Sequence, residues 1–379
     1  MTAVEAPRTA HAVLESCRRR TEPALRAAID SLPAPIRHIA GYHRGWWDEH
    51  GTPTPGGGGK AIRPALALLA ASAVGSRHPG GADPGGADPG GADPGGAGRV
   101  DHDRGGAGRV DHDRAERDRA VPAAVAVELV HDFSLLHDDV MDGDLTRRHR
   151  PTAWAVYGVG EAILAGDSLL TLAMDTLART GRPVAGRGVR MLGEVVQELL
   201  DGQVADLAFE RRTDVGLAEC LRMAESKTGA LLGGACALGA LFAEAPTAEV
   251  AGMRRFGREL GLAFQLVDDL LGIWGDPETT GKPVRGDLRC RKKSLPVVAA
   301  LTSGTPAGAQ LAALYRRDGE LSEAELARAA ELVELAGARD WCRDRADMLA
   351  DSALRRLPAD APATAELGVL TRLVLDRDH

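Results

Sequence analysis

The chain has 379 residues, of which 44% are hydrophobic and 3% aromatic, and its formal net charge is −8 at pH 7. This hydrophobic fraction supports a buried core, whereas the low aromatic content disfavours β-sandwich folds. The acidic balance and the lack of a basic stretch argue against a nucleic-acid partner. The five cysteines are scattered and form no CxxC pair, so we expect free thiols and a reducing, cytoplasmic environment.

The N-terminal segment carries several arginines but no apolar stretch of the kind that signal peptides contain. The longest apolar run covers residues 229–242. It is shorter than the roughly 20 residues that a helix needs to cross a bilayer. We therefore expect no stable membrane insertion and interpret the run as a buried helix.

Most of the chain has apolar residues at helical spacing, and strand-like alternation is nearly absent. Turn signals built from Gly and Pro separate the apolar segments. The pattern predicts an all-α bundle of about ten or more helices. The clearest predicted helices cover residues 123–136, 184–209, 217–242, 254–274 and 323–335.

A repeat region interrupts this helical pattern between about residues 77 and 118. A PGGAD repeat that begins at Pro79 is followed by a longer repeat containing GRVDHDR. Segments with so few apolar side chains cannot offset the entropy lost on ordering. We predict a disordered surface insertion within a single domain that covers residues 1–379.

Two aspartate clusters lie near the ends of apolar helices. Asp138, Asp139 and Asp142 follow the predicted helix 123–136, and Asp268 and Asp269 lie towards the end of helix 254–274. Residues four positions apart share a helix face. Acidic groups at a helix C-terminus oppose the helix dipole, and a bound cation would relieve that cost. We interpret the clusters as facing walls of one cavity; solvated helix ends are the alternative.

An oxygen-only ligand set favours Mg²⁺ over zinc. Mg²⁺ typically takes one or two carboxylates and completes its coordination with water and substrate phosphates. The aspartate pairs therefore indicate a phosphorylated ligand. Basic residues accompany both clusters: Arg147 and Arg148 follow the first, Lys282 and Lys292 follow the second, and Lys60 and Arg63 lie upstream in a glycine-rich segment. Solvated surface charges are the alternative.

Five motifs, in order, resemble those of the polyprenyl synthetase family, which includes farnesyl and geranylgeranyl diphosphate synthases. Residues 58–64 (GGKAIRP) are similar to its GGKRxRP, and residues 128–148 (ELVHDFSLLHDDVMDGDLTRR) to its first aspartate-rich region. Gly202-Gln203 with Asp206 resemble its GQxxD, and Lys227-Thr228 its KT pair. Residues 264–289 (FQLVDDLLGIWGDPETTGKPVRGDLR) are similar to its second aspartate-rich region.

The resemblance implies an isoprenoid-synthase-type bundle around a central cavity, a homodimer, and an Mg²⁺-dependent prenyltransferase with three Mg²⁺ ions per site. Its substrates would be isopentenyl diphosphate and an allylic diphosphate. The residues implied to hold Mg²⁺ are Asp138, Asp139, Asp142, Asp268 and Asp269. Those implied to bind the allylic diphosphate are Arg147, Lys227 and Lys282, and those for isopentenyl diphosphate are Lys60, Arg63, His131 and Arg148. Thr228 and Gln265 would face the reacting carbons, and Lys292 would lie near the metals.

Two positions depart from the family pattern. Gly272 stands where the second DDxxD usually has its third aspartate, and Ala61 replaces the usual arginine of GGKR. We expect activity to survive with altered metal affinity.

Phe133 lies five residues before Asp138, and the resemblance implies that this position limits product length. By resemblance, a bulky residue there blocks elongation beyond geranylgeranyl diphosphate, and the small Ser134 leaves more room than the paired aromatics of some farnesyl synthases. We favour geranylgeranyl diphosphate as product, with farnesyl diphosphate as the alternative. Phe133 could instead simply pack in the core.

Two other functions fit an all-α fold with an aspartate motif. A class I terpene cyclase normally needs an asparagine in its second metal motif, and this chain contains no asparagine. A non-catalytic partner subunit typically loses the first aspartate motif, which is intact here. Both remain alternatives to the synthase.

Overall fold

The computed structural model describes residues 8–54, 59–75, 118–276, 284–359 and 361–376. Apart from Asp118, the predicted insertion at 77–118 lies outside the described residues, and so does Lys282. Within the described ranges the chain is almost entirely helical, which confirms the predicted all-α class.

The elements, in chain order, are α1 (Ala10–Asp30), α2 (Ala34–His43), α3 (Ile62–Gly75), α4 (Val121–Asp142), β1 (Thr146–Arg147), β2 (Arg150–Pro151), α5 (Ala153–Tyr157), α6 (Val159–Ala178), α7 (Ala185–Glu210), α8 (Leu217–Ala224), a π-helical turn (Glu225–Gly229), α9 (Ala230–Phe242), α10 (Thr247–Trp274), α11 (Gly286–Arg289), α12 (Leu295–Leu301), α13 (Pro306–Tyr315), α14 (Glu323–Leu335), α15 (Ala338–Leu354) and α16 (Pro362–Leu375). Strands β1 and β2 pair antiparallel, with Arg147 opposite Arg150.

Helix α9 forms the centre of the bundle. Every residue from Ala230 to Phe242 is buried, as expected for a helix that is apolar on all sides. It packs against α3, α4, α7 and α10. The apolar run at 229–242 is therefore a core helix, as predicted. No single helix in the described ranges is long and apolar enough to cross a membrane. Helices α12 and α13, which meet at a bend of 115°, reach that length and apolar composition only when taken together.

Helix α4 carries the first aspartate cluster in its last turn. Proline in the first turn suits the start of a helix because its missing N–H has no partner there anyway, and Pro122 occupies that position. Gly143 ends the helix in the left-handed conformation at φ 69°, which glycine adopts without strain. The helix is longer than the predicted 123–136, so Asp138 and Asp142 do share one helical face.

The predicted helix 217–242 is interrupted by the π-helical turn. Residues Glu225–Gly229 form a single, wider π-helical turn between α8 and α9. Such turns often occur at functional sites. Gly202 of α7 packs directly against this turn, because a Cβ at Gly202 would lie 2.3 Å from the Lys227 amide nitrogen. A glycine in α7 thus lets the backbone of Lys227 and Thr228 approach closely.

Helix α10 carries the second cluster. It begins after Pro246, seven residues before the predicted start at 254, and ends at Trp274 as predicted. The predictions at 184–209 and 323–335 match α7 and α14 to within one residue.

Candidate active site

The first wall is the end of α4 together with the β1–β2 hairpin. Asp139 is 1% exposed. Its Oδ1 accepts a hydrogen bond from Arg147 Nε at 2.7 Å and forms an ion pair with Arg147 Nη2, also at 2.7 Å. Its Oδ2 is buried without a hydrogen-bond partner. Burial raises the pKa of Asp139 to about 6, against the lowering effect of Arg147. Burial also raises the pKa of Asp138, and Lys227 partly offsets that effect.

The second wall is the end of α10. Asp269 Oδ1 accepts from Gln265 Nε2 at 2.7 Å, and its Oδ2 accepts from the Leu295 amide at 2.8 Å. Gln265 Oε1 in turn accepts from the Thr228 hydroxyl at 2.5 Å. Burial raises the pKa of Asp269 to about 7. Thr228 of the KT pair, Gln265 and Asp269 therefore form one hydrogen-bonded chain.

Two lysines lie close to the walls and interact with their carboxylates. Lys227 Nζ donates to Asp206 Oδ2 at 2.8 Å and also lowers the pKa of Asp138 on the first wall. Burial lowers the pKa of Lys292, but Asp287, Asp269, Asp206 and Asp268 outweigh it and raise the pKa above its ordinary value.

Lys292 also reaches the first wall electrostatically. The pKa of Asp142 is raised by partial burial and lowered in part by Lys227 and Lys292. Lys292 thus interacts electrostatically with carboxylates of both clusters. A cleft of about 290 Å³, open to solvent, adjoins the second wall and is lined by Asp206, Met223, Ala224, Lys227, Gln265, Asp269, Lys292 and Ser294.

The carboxylates of the walls suit Mg²⁺ better than they suit a metal ion whose ligands all come from the protein. Among the described residues, no three His, Cys, Asp or Glu side chains are grouped closely enough to hold a metal. The walls instead present separate carboxylates, including the unpartnered Asp139 Oδ2. Mg²⁺ suits such a site because it needs few carboxylates when phosphate oxygens and water complete its coordination.

A second, cationic site lies beside the first wall. The pKa of His131 is lowered well below 6.5 by burial and by Arg63, Arg148 and Arg147, so its imidazole is neutral. Arg63 Nε is buried without a hydrogen-bond partner. A Cβ at Gly59 would lie 2.8 Å from Arg148 Nη2, so the loop that carries Lys60 contacts Arg148. The predicted residues Arg63, His131 and Arg148 are thus neighbours, and Lys60 is exposed at the adjacent loop.

Sequence reasoning missed the buried ion pairs beneath this cationic site. Arg44 Nη1 donates to Asp132 Oδ2, and Arg44 Nη2 lies 3.4 Å from Glu128 Oε1. All three residues are at most 6% exposed. His43 Nε2 lies 4.0 Å from Asp132 Oδ1. Glu128 and Asp132, four residues apart on an apolar helix, could have indicated a buried acidic pair. Their partner Arg44 could not be identified from the sequence, because it lies 88 residues from Asp132 in the chain.

Phe133 lies on the inner face of α4. It is 3% exposed, and its ring lies edge-on to the His137 ring, with centroids 4.7 Å apart. Gly166 of α6 lies against both rings, since a Cβ there would be 2.4 Å from His137 and 3.5 Å from Phe133. Ser134 donates its hydroxyl hydrogen to the His131 carbonyl at 2.8 Å.

Comparison with known proteins assigns this architecture. A family model described as polyprenyl synthetase matches residues 46–333. The chain belongs to the polyprenyl synthetase family. A solved structure titled polyprenyl synthetase, from Streptomyces coelicolor A3(2), superimposes on this member with a TM-score of 0.81 and 42% identity, covering 96% of this chain and 98% of the other.

Among curated members of the family, two mycobacterial proteins are similar over nearly the whole chain. A (2E,6E)-farnesyl diphosphate synthase from Mycobacterium tuberculosis is 45% identical over 366 residues, covering 94% of this chain and 90% of the relative. A geranylgeranyl diphosphate synthase from the same organism is 43% identical over 368 residues, covering 97% and 94%. These two polyprenyl synthetases carry different product names at almost equal identity, so similarity alone does not select a product.

Proposed function

We propose that this polyprenyl synthetase condenses isopentenyl diphosphate with an allylic diphosphate (dimethylallyl, geranyl or farnesyl) to a short-chain trans-isoprenyl diphosphate. The observation that carries the proposal is the pair of acidic clusters that both interact electrostatically with Lys292, with a separate cationic site beside the first. One anion held by metal and one held by arginines are what a reaction between two diphosphates requires. A cyclase or a non-catalytic subunit would have no use for the second site.

The allylic diphosphate would bind between the walls. Arg147 and Lys227 would donate to its oxygens, with Lys282 as a further predicted contact. Mg²⁺, held by Asp138, Asp139, Asp142, Asp268 and Asp269, would stabilise the negative charge that develops as the diphosphate leaves. The Arg147 contacts to Asp139 and the Lys227 contact to Asp206 fix these cations in place before the substrate arrives.

Isopentenyl diphosphate would bind in the cationic site. Arg63 has a buried N–H without a partner, and such a donor is costly unless a ligand accepts from it. Neutral His131 can donate one hydrogen bond, while Arg148 and Lys60 would supply charge. The double bond of isopentenyl diphosphate would then attack the allylic cation, and the departed diphosphate would accept the released proton. Binding of both substrates would have to exclude water from the site, because water would otherwise capture the cation.

Thr228 and Gln265 would lie where the reacting carbons meet. Their mutual hydrogen bond and the bond from Gln265 to Asp269 hold both polar groups in place beside the second wall. Phe133 would then form the floor of the chain cavity, and its packing against His137 and Gly166 supports a rigid stop. We favour geranylgeranyl diphosphate as the product, with farnesyl diphosphate as the alternative. By resemblance the enzyme would be a cytoplasmic homodimer.

One assay tests the proposal. Purified protein is incubated with Mg²⁺, isopentenyl diphosphate and each allylic primer, and the product alcohols are identified by mass after phosphatase treatment. We expect a trans product only when both substrates are present, and loss of that product in Asp138→Asn. Cyclisation of an allylic diphosphate without isopentenyl diphosphate, or no turnover at all by the wild-type protein, would contradict the proposal.

A further inference from the structure

The π-helical turn that carries Lys227 and Thr228 lies between two glycines of neighbouring helices. A Cβ at Gly202 of α7 would lie 2.3 Å from the Lys227 amide nitrogen. A Cβ at Gly261 of α10 would lie 2.7 Å from Gly229 Cα and 3.3 Å from the Thr228 carbonyl oxygen. These close backbone contacts limit how far the turn can move towards either helix, but they do not prevent it from moving away.

The turn also has an unusual backbone geometry. The Ala230 amide donates to the Glu225 carbonyl, five residues earlier, which is the hydrogen bond of a π-helix. Such helices are rare and occur mostly as single turns inside α-helices. A turn of this kind therefore depends on contacts from the rest of the fold that favour it over a continuous α-helix.

Arg258 of α10 makes attractive contacts of this kind. Its Nε donates to Glu225 Oε1 at 3.0 Å, and its Nη1 donates to Glu198 Oε1 at 2.5 Å. The stem of the side chain crosses α9 at Gly233, where a Cβ would lie 2.6 Å from Arg258 Cγ. Hydrogen bonds between charged groups are stronger than those between neutral ones. One guanidinium thus joins α10 to the first residue of the turn and to α7.

The position of this turn determines where two predicted site residues lie. Lys227 Nζ donates to Asp206 at 2.8 Å, and the Thr228 hydroxyl donates to Gln265 at 2.5 Å. Both residues follow Glu225 within the same five-residue turn. A displacement of Glu225 would therefore be passed through the backbone to both side chains.

We propose that Arg258 is a positioning residue, which holds the π-helical turn in place through Glu225 and so fixes the positions of Lys227 and Thr228. This inference rests on the proposed synthase function, in which Lys227 binds the allylic diphosphate and Thr228 faces the reacting carbons. Arg258 would touch neither substrate. It would affect the rate of condensation and leave the binding of isopentenyl diphosphate unchanged.

Four variants test this assignment: Arg258→Met, Glu225→Ala, Glu225→Gln and Arg254→Met. Methionine keeps an apolar stem beside α9 and removes the guanidinium. Glutamine at position 225 keeps an oxygen that can accept from Arg258, whereas alanine does not. Arg254 is the matched control one turn earlier on α10, because it pairs with Glu194 and Glu198 of α7 at 3.7 and 3.6 Å, and neither glutamate belongs to the turn.

Two measurements are made on each full-length protein. Hydrogen exchange of the backbone amides of residues 225–230, followed by mass spectrometry, reports opening of the turn and requires no activity. Exchange in the rest of α9 is the internal reference for opening of the whole bundle. Steady-state condensation kinetics give kcat and the KM for each substrate.

We expect Arg258→Met and Glu225→Ala to speed exchange at residues 225–230 by about 5-fold, as the loss of a partly exposed ion pair would. Their kcat should fall by about 10-fold or more, because misplacement of about 1 Å at a reacting centre can cost about 100-fold. The KM for isopentenyl diphosphate should not change, since its proposed site lies beside the first wall. Glu225→Gln should keep most of the wild-type kcat, and Arg254→Met should match the wild type in both measurements.

Unchanged exchange at residues 225–230 in Arg258→Met would overturn the inference, and so would faster exchange with an unchanged kcat. An equal loss in Arg254→Met, or a loss in Glu225→Gln as large as that in Glu225→Ala, would overturn it as well. If Arg258→Met does not fold, Glu225→Ala decides, because it leaves the contact between Arg258 and Glu198 in place. Failure of the proposed function would instead appear as an inactive wild type, with the exchange results unaffected.

Discussion

The contact between Gly202 and the π-helical turn makes a sharp prediction for a single added methyl group. In Gly202→Ala the new Cβ would lie 2.3 Å from the Lys227 amide nitrogen, 2.8 Å from Lys227 Cα and 2.9 Å from the Ser226 carbonyl carbon. All three are backbone atoms, so no side-chain rotation relieves the overlap. The turn has to move by about 1 Å to restore ordinary contact.

That displacement would act on both polar contacts of the KT pair. Lys227 would leave its 2.8 Å contact with Asp206, and Thr228 its 2.5 Å contact with Gln265. Misplacement of about 1 Å at a reacting centre can cost about 100-fold in rate. Overpacking costs about 1–3 kcal/mol, and replacing glycine in a helix returns up to about 1 kcal/mol. We therefore expect a net loss of up to about 2 kcal/mol and a fall of about 100-fold in kcat.

A matched control lies in the same helix. A Cβ at Gly193 of α7 meets nothing within 4 Å, so Gly193→Ala should gain up to about 1 kcal/mol and keep wild-type turnover. Urea unfolding and steady-state condensation kinetics compare the two variants. Wild-type kcat in Gly202→Ala, or an equal loss in both variants, would refute the reasoning that the close approach positions Lys227 and Thr228.

Three further predictions concern the surroundings of the site. Burial, and to a smaller extent Arg147 and other arginines, lowers the pKa of His43 well below 6.5. As pH falls through 6.5, the His43 imidazole therefore takes up a proton in the unfolded state but not in the folded state, and the free energy of unfolding decreases. His43→Gln should therefore gain about 1.4 kcal/mol relative to wild type between about pH 7.5 and 5.5 in urea unfolding; a constant difference would contradict this. Arg44→Met strands two buried carboxylates and should lose about 3–5 kcal/mol, with partial recovery on adding Asp132→Asn; no recovery would count against the ion pair. Phe133→Ala should shift the product alcohols to greater mass; an unchanged product would assign Phe133 to the core alone.

Local patterns in the chain predicted the elements whose residues are close in sequence. The apolar spacing before Asp138 and around Asp268 located α4 and α10, because each helix contains its own signal. The family motifs predicted that Lys227, Thr228 and Gln265 belong to one site. In the structure Thr228 donates to Gln265, which donates to Asp269 of the second wall, and Lys227 donates to Asp206 of α7.

The missed features depend on contacts between distant segments. The π-helical turn arises where α7 meets the α8–α9 helix at Gly202, and helical periodicity does not report a widened turn. The pairing of Arg44 with Asp132 joins segments that share no pattern. The close approach of the Asp287 side chain to Gly272, where a Cβ would lie 2.3 Å from Asp287 Oδ2, likewise depends on how the chain after α10 folds back.

The proposed function requires one diphosphate to bind both walls through Mg²⁺. The most direct measurement is a crystal structure with Mg²⁺ and inorganic diphosphate bound. We predict metal ions on the first wall at Asp138 and on the second wall at Asp268, bridged by a single diphosphate that contacts Lys227. Metal at one wall only, or a diphosphate bound outside the cleft, would contradict it.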